Sequence, residues 1–411
     1  MSRPSQIRTL VLHADAWTTM SYFDDWKEAF AASSEFAADT LNICAPHGAE
    51  ELERRVREYE LIVLLHSAVG DTLQYIQPLV PGLNRRTGRL LSFIGNEVSL
   101  PGSWLADKIA LLRDLRAEYV ATQLPLKAGE YLYGTLSGTR VLAVPHALNP
   151  QRFRPAVPHA ERRVDVGVRS FKYFVLMGDI ERNRIIDYFA QTEFQPPLCV
   201  DINTEKTGRL SAEGWAAFLN RCKATVATEA GTYYLERDDA TMRRIVAFIQ
   251  EKEGRGQAVY NRLRRSGARK LLPAWLRGAA RSLLGLTATE QKCRQMAGWS
   301  NQLVTFDEIF DRFYRDYPNP VSGKCISSRH FDAVGCKTLQ IMFPGDFNGI
   351  LKADVHYLAL SRDFSNIDDV LARFQDEACR ARMVDETYNH ILSAHTYGHR
   401  LRELRDQLGA S

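Results

Sequence analysis

"SSRHFDAVGCKTLQIMFPGDFNGIL" (327–351) sets three things in a row: a short helix carrying Arg329, His330 and Asp332, an apolar strand, and a turn containing Gly345, Asp346, Asn348, Gly349 and Ile350. A helix feeding a short apolar strand that ends in a glycine turn suits an open α/β sheet, where ligands lie beyond the carboxyl ends of the strands. Gly345 and Gly349 permit positive φ and close backbone approach. The free N–H groups of such a turn can face an anion, for example a diphosphate. Arg329 and Asp332, three residues apart, share one helix face. A carboxylate there can accept both hydroxyls of a ribose, and a guanidinium offers a planar fork to phosphate oxygens. A nucleoside diphosphate fits this set. An Arg–Asp helix pair beside an ordinary turn fits it equally.

The same alternation fills the first part of the chain. "IRTLVLHA" (7–14), "FAADTLNIC" (36–44) and "LIVLLHS" (61–67) are apolar runs of strand length, separated by the helical stretches "DDWKEAFAA" (24–32) and "EELERRVREYE" (50–60). "GRLLSFIGN" (88–96), "SWLADKIALLRDLR" (103–116), "EYVATQL" (118–124) and "RVLAVPHA" (140–147) continue the series. Short buried strands joined by crossover helices define a doubly wound α/β domain over residues 1–150.

"VPHALNPQRFRPAVPHAERR" (144–163) interrupts the pattern with Pro145, Pro150, Pro155 and Pro158. Proline is excluded from helix interiors and central strands, so this stretch reads as an interdomain linker. Alternation resumes with "VDVGVR" (164–169), "ERNRIIDYFA" (181–190), "PLCVDIN" (197–203), "AEGWAAFLNRC" (212–222) and "ATVAT" (224–228). A second α/β domain over 151–390 follows, interrupted by a basic helical insertion at about 236–316. "TLQIMF" (338–343), "VHYLAL" (355–360) and closing helices complete it, the last within 391–411. The 411 residues exceed the length at which single cores stop growing, roughly 250–300, so two domains are expected.

Composition narrows the partners. With 53 basic against 49 acidic residues and a net charge of +4, nothing points to nucleic acid. Seven cysteines, at 44, 199, 222, 293, 325, 336 and 379, form no CxxC pair, which suits reduced thiols in a cytosolic protein and gives no structural zinc site. The start of the chain lacks the sustained apolar core of a signal peptide, and no apolar run reaches the ~18–20 residues of a membrane span. The expected location is the cytoplasm, in solution or peripherally at the inner face of the membrane. Neither half carries the GxGxxG fingerprint, which argues against a dehydrogenase.

Four other constellations can carry chemistry. "FVLMGDIERNRIIDYF" (174–189) places Asp179, Arg182 and Arg184 at a strand-to-helix junction suited to phosphate. "ATEAGTYYLERDD" (227–239) offers Glu229 for sugar hydroxyls and two tyrosines for stacking. His13 and His66 each end an apolar strand with Asp15 and Asp71 just beyond, so either could deprotonate an acceptor hydroxyl. The stretch 254–286 has eight basic residues and no acid, with Trp275 and leucines interleaved, a pattern that suits an anionic membrane surface.

Three segments resemble GT-B glycosyltransferases of the group 1, family-4-like kind, especially the spore-maturation, CgeB-like branch. "SSRHFDAVGCKTLQIMF" is similar to their donor-binding helix and strand, with its S-x-R-x-F-E pattern. "VPHALNPQRFRP" resembles the segment linking their two halves, and "HTYGHRLREL" (395–404) their closing helix. The matches occur in the family's order, from about residue 140 to the end. The resemblance implies two Rossmann-like domains facing a cleft, an acceptor domain first and a nucleotide-sugar domain second, with the last helix crossing back. It places Asp332 on the nucleotide ribose, Arg329 in the same motif, and the amides of Asn348, Gly349 and Ile350 near the diphosphate or sugar. The family has Glu where this chain has Asp332, and Cys325 stands where retaining relatives carry a further acid.

The expected function is transfer of a sugar from a nucleotide-diphosphate sugar to the hydroxyl of a glycan, lipid-linked or small-molecule acceptor, in surface polysaccharide or glycoconjugate synthesis. It is a hexosyltransferase-type reaction with no cofactor and no metal. A non-catalytic GT-B-like scaffold and a sugar-nucleotide epimerase of the same fold are the alternatives.

Overall fold

The computed structural model describes residues 6–15, 20–205, 210–265 and 304–409, and only the backbone of 253–265. Within them the chain builds two parallel sheets. The first contains β1 (Ile7–His13), β2 (Phe36–Asn42), β3 (Leu61–Leu64), β4 (Arg89–Phe93), β5 (Tyr119–Thr122) and β6 (Arg140–Ala143), in the order β2-β1-β3-β4-β5-β6. The second contains β7 (Val164–Arg169), β8 (Val200–Asn203), β9 (Cys222–Ala227), β10 (Leu339–Met342) and β11 (Leu358–Ala359), in the order β11-β10-β9-β7-β8. All the strand pairs are parallel. Read from their own first strands, both sheets reverse direction between first and third, at β1/β3 and at β7/β9. Those are the switch points where ligands of doubly wound sheets bind.

The apolar patterns explain the layers. β3, "LIVL", is buried along its whole length because helices cover both faces of the sheet. One face carries α2 (Gly48–Arg55), α3 (Val80–Leu83), α4 (Leu105–Asp114) and α5 (Leu126–Tyr133), whose Leu52, Leu83, Leu112 and Leu132 pack beneath it. Against the opposite face lies α1 (Ser21–Ala31), through Trp26 and Phe30. The second sheet is covered by α6 (Glu181–Gln191), α7 (Ala212–Arg221), α10 (Ser328–Gly335), α11 (Ile367–Gln375) and α12 (Glu377–Ala394). The final helix, α13 (Tyr397–Gly409), returns to the first domain. Its Tyr397, Leu401, Leu404 and Leu408, one stripe of an amphipathic helix, pack with Trp26, Phe93 and Leu142. Each such buried leucine contributes about 1.5–3 kcal/mol.

The proline-spaced segment runs between the domains as an anchored strap. Arg162, 3% exposed, donates to the carbonyls of Val157, Cys222, Cys336 and Lys337 and so ties the strap to the second domain. Leu148 forms a parallel bridge with Thr396, where the returning chain crosses beside the outgoing one.

The insertion begins with α8 (Ala240–Arg265) and ends with α9 (Phe306–Ile309) and one π turn, Phe310–Tyr314. Asp239, just before α8, reaches the first domain and accepts the amides of Leu105 and Ala106 at 3.0 and 2.9 Å, satisfying free donors at the start of α4. The basic stretch 254–286 lies outside the described side chains, and from 266 outside the described residues. Among the described residues, no helix is long and apolar enough to cross a membrane.

Candidate functional site

The carboxyl ends of the two sheets face each other. Asn348, in the turn after β10, donates through Nδ2 to the carbonyl of Gln123 after β5 at 3.1 Å, while its Oδ1 accepts the Ile326 amide at 2.8 Å. A residue expected to touch a diphosphate through its backbone thus uses its side chain to join the domains.

On the second domain the mouth is a lattice of charge. Asp179 Oδ1 caps the Glu181 amide at 2.9 Å, and Oδ2 accepts Lys324 Nζ at 2.6 Å. Lys324 is 4% exposed and lies also 3.7 Å from Glu181 and over the Tyr233 ring. Burial alone would lower its ammonium, but Asp179 and Glu181 override that and raise it. Glu181 in turn holds Arg362 and accepts the Tyr233 hydroxyl. Arg362 closes the ring on the Pro344 carbonyl at 2.9 Å. Lys324, Glu181 and Arg362 were not singled out by sequence. Arg362 carried a usable signal, since it follows the apolar run 355–360 and so sits at a strand's carboxyl end.

The expected phosphate residues separate here. Asp179 is buried and fully used. Arg182, half-buried at the start of α6, lies over the Tyr173 ring at 3.9 Å. Arg184 instead donates to the Arg362 carbonyl at 3.0 Å, on the outer side of that helix. Of the two adjacent tyrosines, Tyr233 lines the mouth, whereas Tyr234 packs among Tyr314 and Tyr317.

The opening stretch folds as a helix, strand and turn, with its side chains engaged differently from the expectation. Arg329 reaches the end of β7, donating to Ser170 Oγ at 2.6 Å. His330 is 1% exposed and caps its own helix: its Nδ1 receives the Ser327 amide at 3.0 Å. Burial pushes its imidazole down to about 3, so it is a neutral cap, not a ligand-facing group. Asp332 is 2% exposed and accepts the Trp215 indole N–H at 3.0 Å. Burial first, then the facing Asp25 of the first domain, hold its carboxyl well above the ordinary range. In this structure, then, the carboxylate expected to grip a ribose is closed in by protein.

The turn itself is compact. Gly349 and Ile350 spend their amides on the Asp346 and Phe347 carbonyls, so those two N–H groups do not face an anion. Gly345, Asp346 and Gly349 are exposed at its rim. Glu229 lies below it, 7% exposed, and accepts the Phe347 amide at 2.8 Å. Burial, then Asp346 and Glu181, raise its carboxyl against the pull of the Phe347 amide and Lys324. Cys325 is buried and forms an antiparallel bridge with Ala230, the neighbour of Glu229.

Across the cleft, the two histidines part company. His13 is 8% exposed, its Nδ1 3.0 Å from Asp15 Oδ2. Burial would raise the Asp15 carboxyl, yet His13 and Lys27 pull it down to about 2. His66 is 0% exposed, caged by Tyr22, Trp26, Phe93 and His146, with neither ring nitrogen partnered. Burial holds it well below the ordinary histidine range. Asp71 bonds Asn96 and does not orient it. As a base His66 is therefore corrected: α1 covers it, and no acceptor reaches its ring. Among the described residues no three His, Cys, Asp or Glu side chains gather as metal ligands.

Two Rossmann-like domains with facing carboxyl ends, a double-crossing hinge and a returning last helix define the GT-B architecture. Residues 301–406, which contain α10, β10 and the turn, match the protein family described as Glycosyl transferase-like. Among solved structures the chain is similar to HepE of Anabaena in complex with UDP and glucose: 10% identity, 99% of this chain and 100% of that one covered, TM-score 0.48. It is also similar to sucrose-phosphate synthase from Thermosynechococcus elongatus, at 12% identity, 99% and 100% coverage and a TM-score of 0.46. No curated protein matches it in sequence.

Proposed function

We propose that the chain is a glycosyltransferase of the hexosyl-transferring kind, holding a nucleotide-diphosphate sugar on the second domain and an acceptor hydroxyl on the first. The carrying observation is that the family-matched segment contributes Lys324, Arg362 and the Asn348 turn to the mouth of the second sheet, and that Asn348 meets Gln123 at the carboxyl end of the first. Supporting it, the start of α6 with Arg182 and the exposed side of Arg362 offers positive charge where a departing diphosphate would lie. His13, backed by Asp15, takes the acceptor proton. The acceptor oxygen bonds to the sugar's anomeric carbon as the bond from that carbon to the diphosphate oxygen breaks.

Trp215 gives Asp332 the same kind of donor that a ribose hydroxyl would bring, so a nucleotide reaches Asp332 by displacing the indole. A non-catalytic scaffold is the second reading, favoured by that closed contact alone.

A thermal-shift screen against UDP, GDP, dTDP and their sugars, followed by product analysis, separates the readings. A ligand that binds the native state raises its melting temperature. No shift with any of them favours the scaffold, and a rearranged sugar nucleotide without transfer identifies an epimerase. The reaction is proposed to need no metal, so turnover should survive EDTA. Loss of turnover restored by Mg²⁺ would refute this. The acceptor is proposed to be a glycan or lipid-linked hydroxyl handled in the cytoplasm, at the inner face of the membrane where 254–286 engages anionic lipid. Co-sedimentation with anionic vesicles at low salt tests that contact.

A further inference from the structure

The turn after β10 holds hydrogen-bonding capacity that neither the charge lattice nor the helix cap uses. Phe347, Asn348 and Gly349 are consecutively left-handed, with φ of 45°, 55° and 70°. Residues with side chains stay in that region, at a cost of about 1–2 kcal/mol each, only where the surroundings fix them. Glu229 does so through Oε1, which takes the Phe347 amide, while the Phe347 ring packs edge-on to His330 and Tyr357 at 5.3 and 5.2 Å.

The second oxygen of Glu229, Oε2, makes no hydrogen bond among the described residues. It lies against exposed Gly345, where a Cβ would come within 2.4 Å of it. The Tyr357 hydroxyl, held against the Gly345 backbone, is 0% exposed and closed to ligand. A half-used carboxylate bordering an exposed glycine is an unmet polar group of the kind that costs about 1–3 kcal/mol when buried. Oε2 is an acceptor with the Asp346 carboxylate nearby, so what suits it is a hydroxyl donor rather than a phosphate oxygen.

We propose that Glu229 determines donor-sugar specificity: Oε1 fixes the left-handed turn, and Oε2 receives hydroxyls of the sugar laid beside Gly345. This assignment rests on the nucleotide-sugar reading above.

Titration calorimetry of wild type, Glu229→Gln, Tyr357→Phe and Gly345→Ala tests it, with UDP, GDP and dTDP and with UDP-glucose, UDP-galactose, GDP-mannose and dTDP-glucose as probes. Gln keeps an oxygen for the Phe347 amide but replaces Oε2 by an NH₂ donor or reverses the two. In the series that wild type binds, Glu229→Gln and Gly345→Ala should weaken the sugar nucleotide about tenfold or more, while Tyr357→Phe, which removes a hydroxyl closed to ligand, should leave it within about twofold. The free diphosphate should stay within about twofold throughout. For the Glu229 and Gly345 variants, equal losses for diphosphate and sugar nucleotide, or no loss for either, overturn the proposal and leave the glycosyltransferase reading standing. Wild type binding none of the probes overturns both. If Glu229→Gln does not fold, the Gly345 variant decides by the same comparison.

Discussion

At the switch point of the first sheet the interior is neutral and aromatic, with His66 sealed among Tyr22, Trp26, Phe93 and His146, and charge sits at its edge, where Asp15 holds Lys27 beside His13. At that of the second sheet Asp179, Glu181, Lys324 and Arg362 form a continuous ionic ring around Tyr233. Strand order is shared; chemistry is not. Parallel topology delivers loops to one edge, and the residues that follow each strand then decide whether the edge suits an anion or a neutral hydroxyl.

The largest effect should come from breaking the charged side. Lys324→Met leaves buried Asp179 without its cation, while Glu181 keeps Arg362, and should cost about 3–5 kcal/mol of stability. Urea unfolding measures it, and a loss below about 1 kcal/mol would show that water already serves that carboxylate.

A second test sharpens the neutral side. His13→Ala should lower turnover about a hundredfold, as for loss of a general base. His66→Phe, which removes no hydrogen bond, should leave turnover within about threefold. The reverse ranking would return the base to His66 and require α1 to move.

The smallest effect concerns the hinge between the two sides. Asp25, 2% exposed, is raised by burial to about 7 despite Asn149 and Arg152. Because its folded value exceeds the ordinary 3.8, the folded chain binds this proton more tightly than the unfolded chain. Its charge therefore opposes folding above pH 7, and that opposition fades as the pH falls toward 4. Asp25→Asn should raise the melting temperature at pH 8 by a few degrees and by less at pH 4.5. An equal shift at both would assign the effect to packing.

Much of the framework was legible because burial on both faces forces β3 and its neighbours to be short and apolar, and because Pro145, Pro150, Pro155 and Pro158 cannot sit in helix interiors or central strands. The carboxyl-end positions of Glu229 and Gly345 were legible for the same reason: strand ends fix them, whereas Asp179 follows a 3-10 turn, Val175–Met177, ten residues beyond the end of β7. Their uses were not. His330 caps its own helix, a local contact that the resemblance to a binding motif conceals. Lys324 gains meaning only from Asp179, 145 positions away in sequence. Asn348 gains its own from Gln123 in the other domain.

The sequence alone determined two doubly wound sheets, the strap between them and the set of residues brought to their carboxyl ends, since apolar periodicity and proline act locally. Tertiary structure alone decided which of those residues remain available. Trp215 takes up Asp332, α1 encloses His66, and Glu229 keeps one oxygen free under Gly345, because partners distant in the chain compete for the same hydrogen bonds once they are packed together.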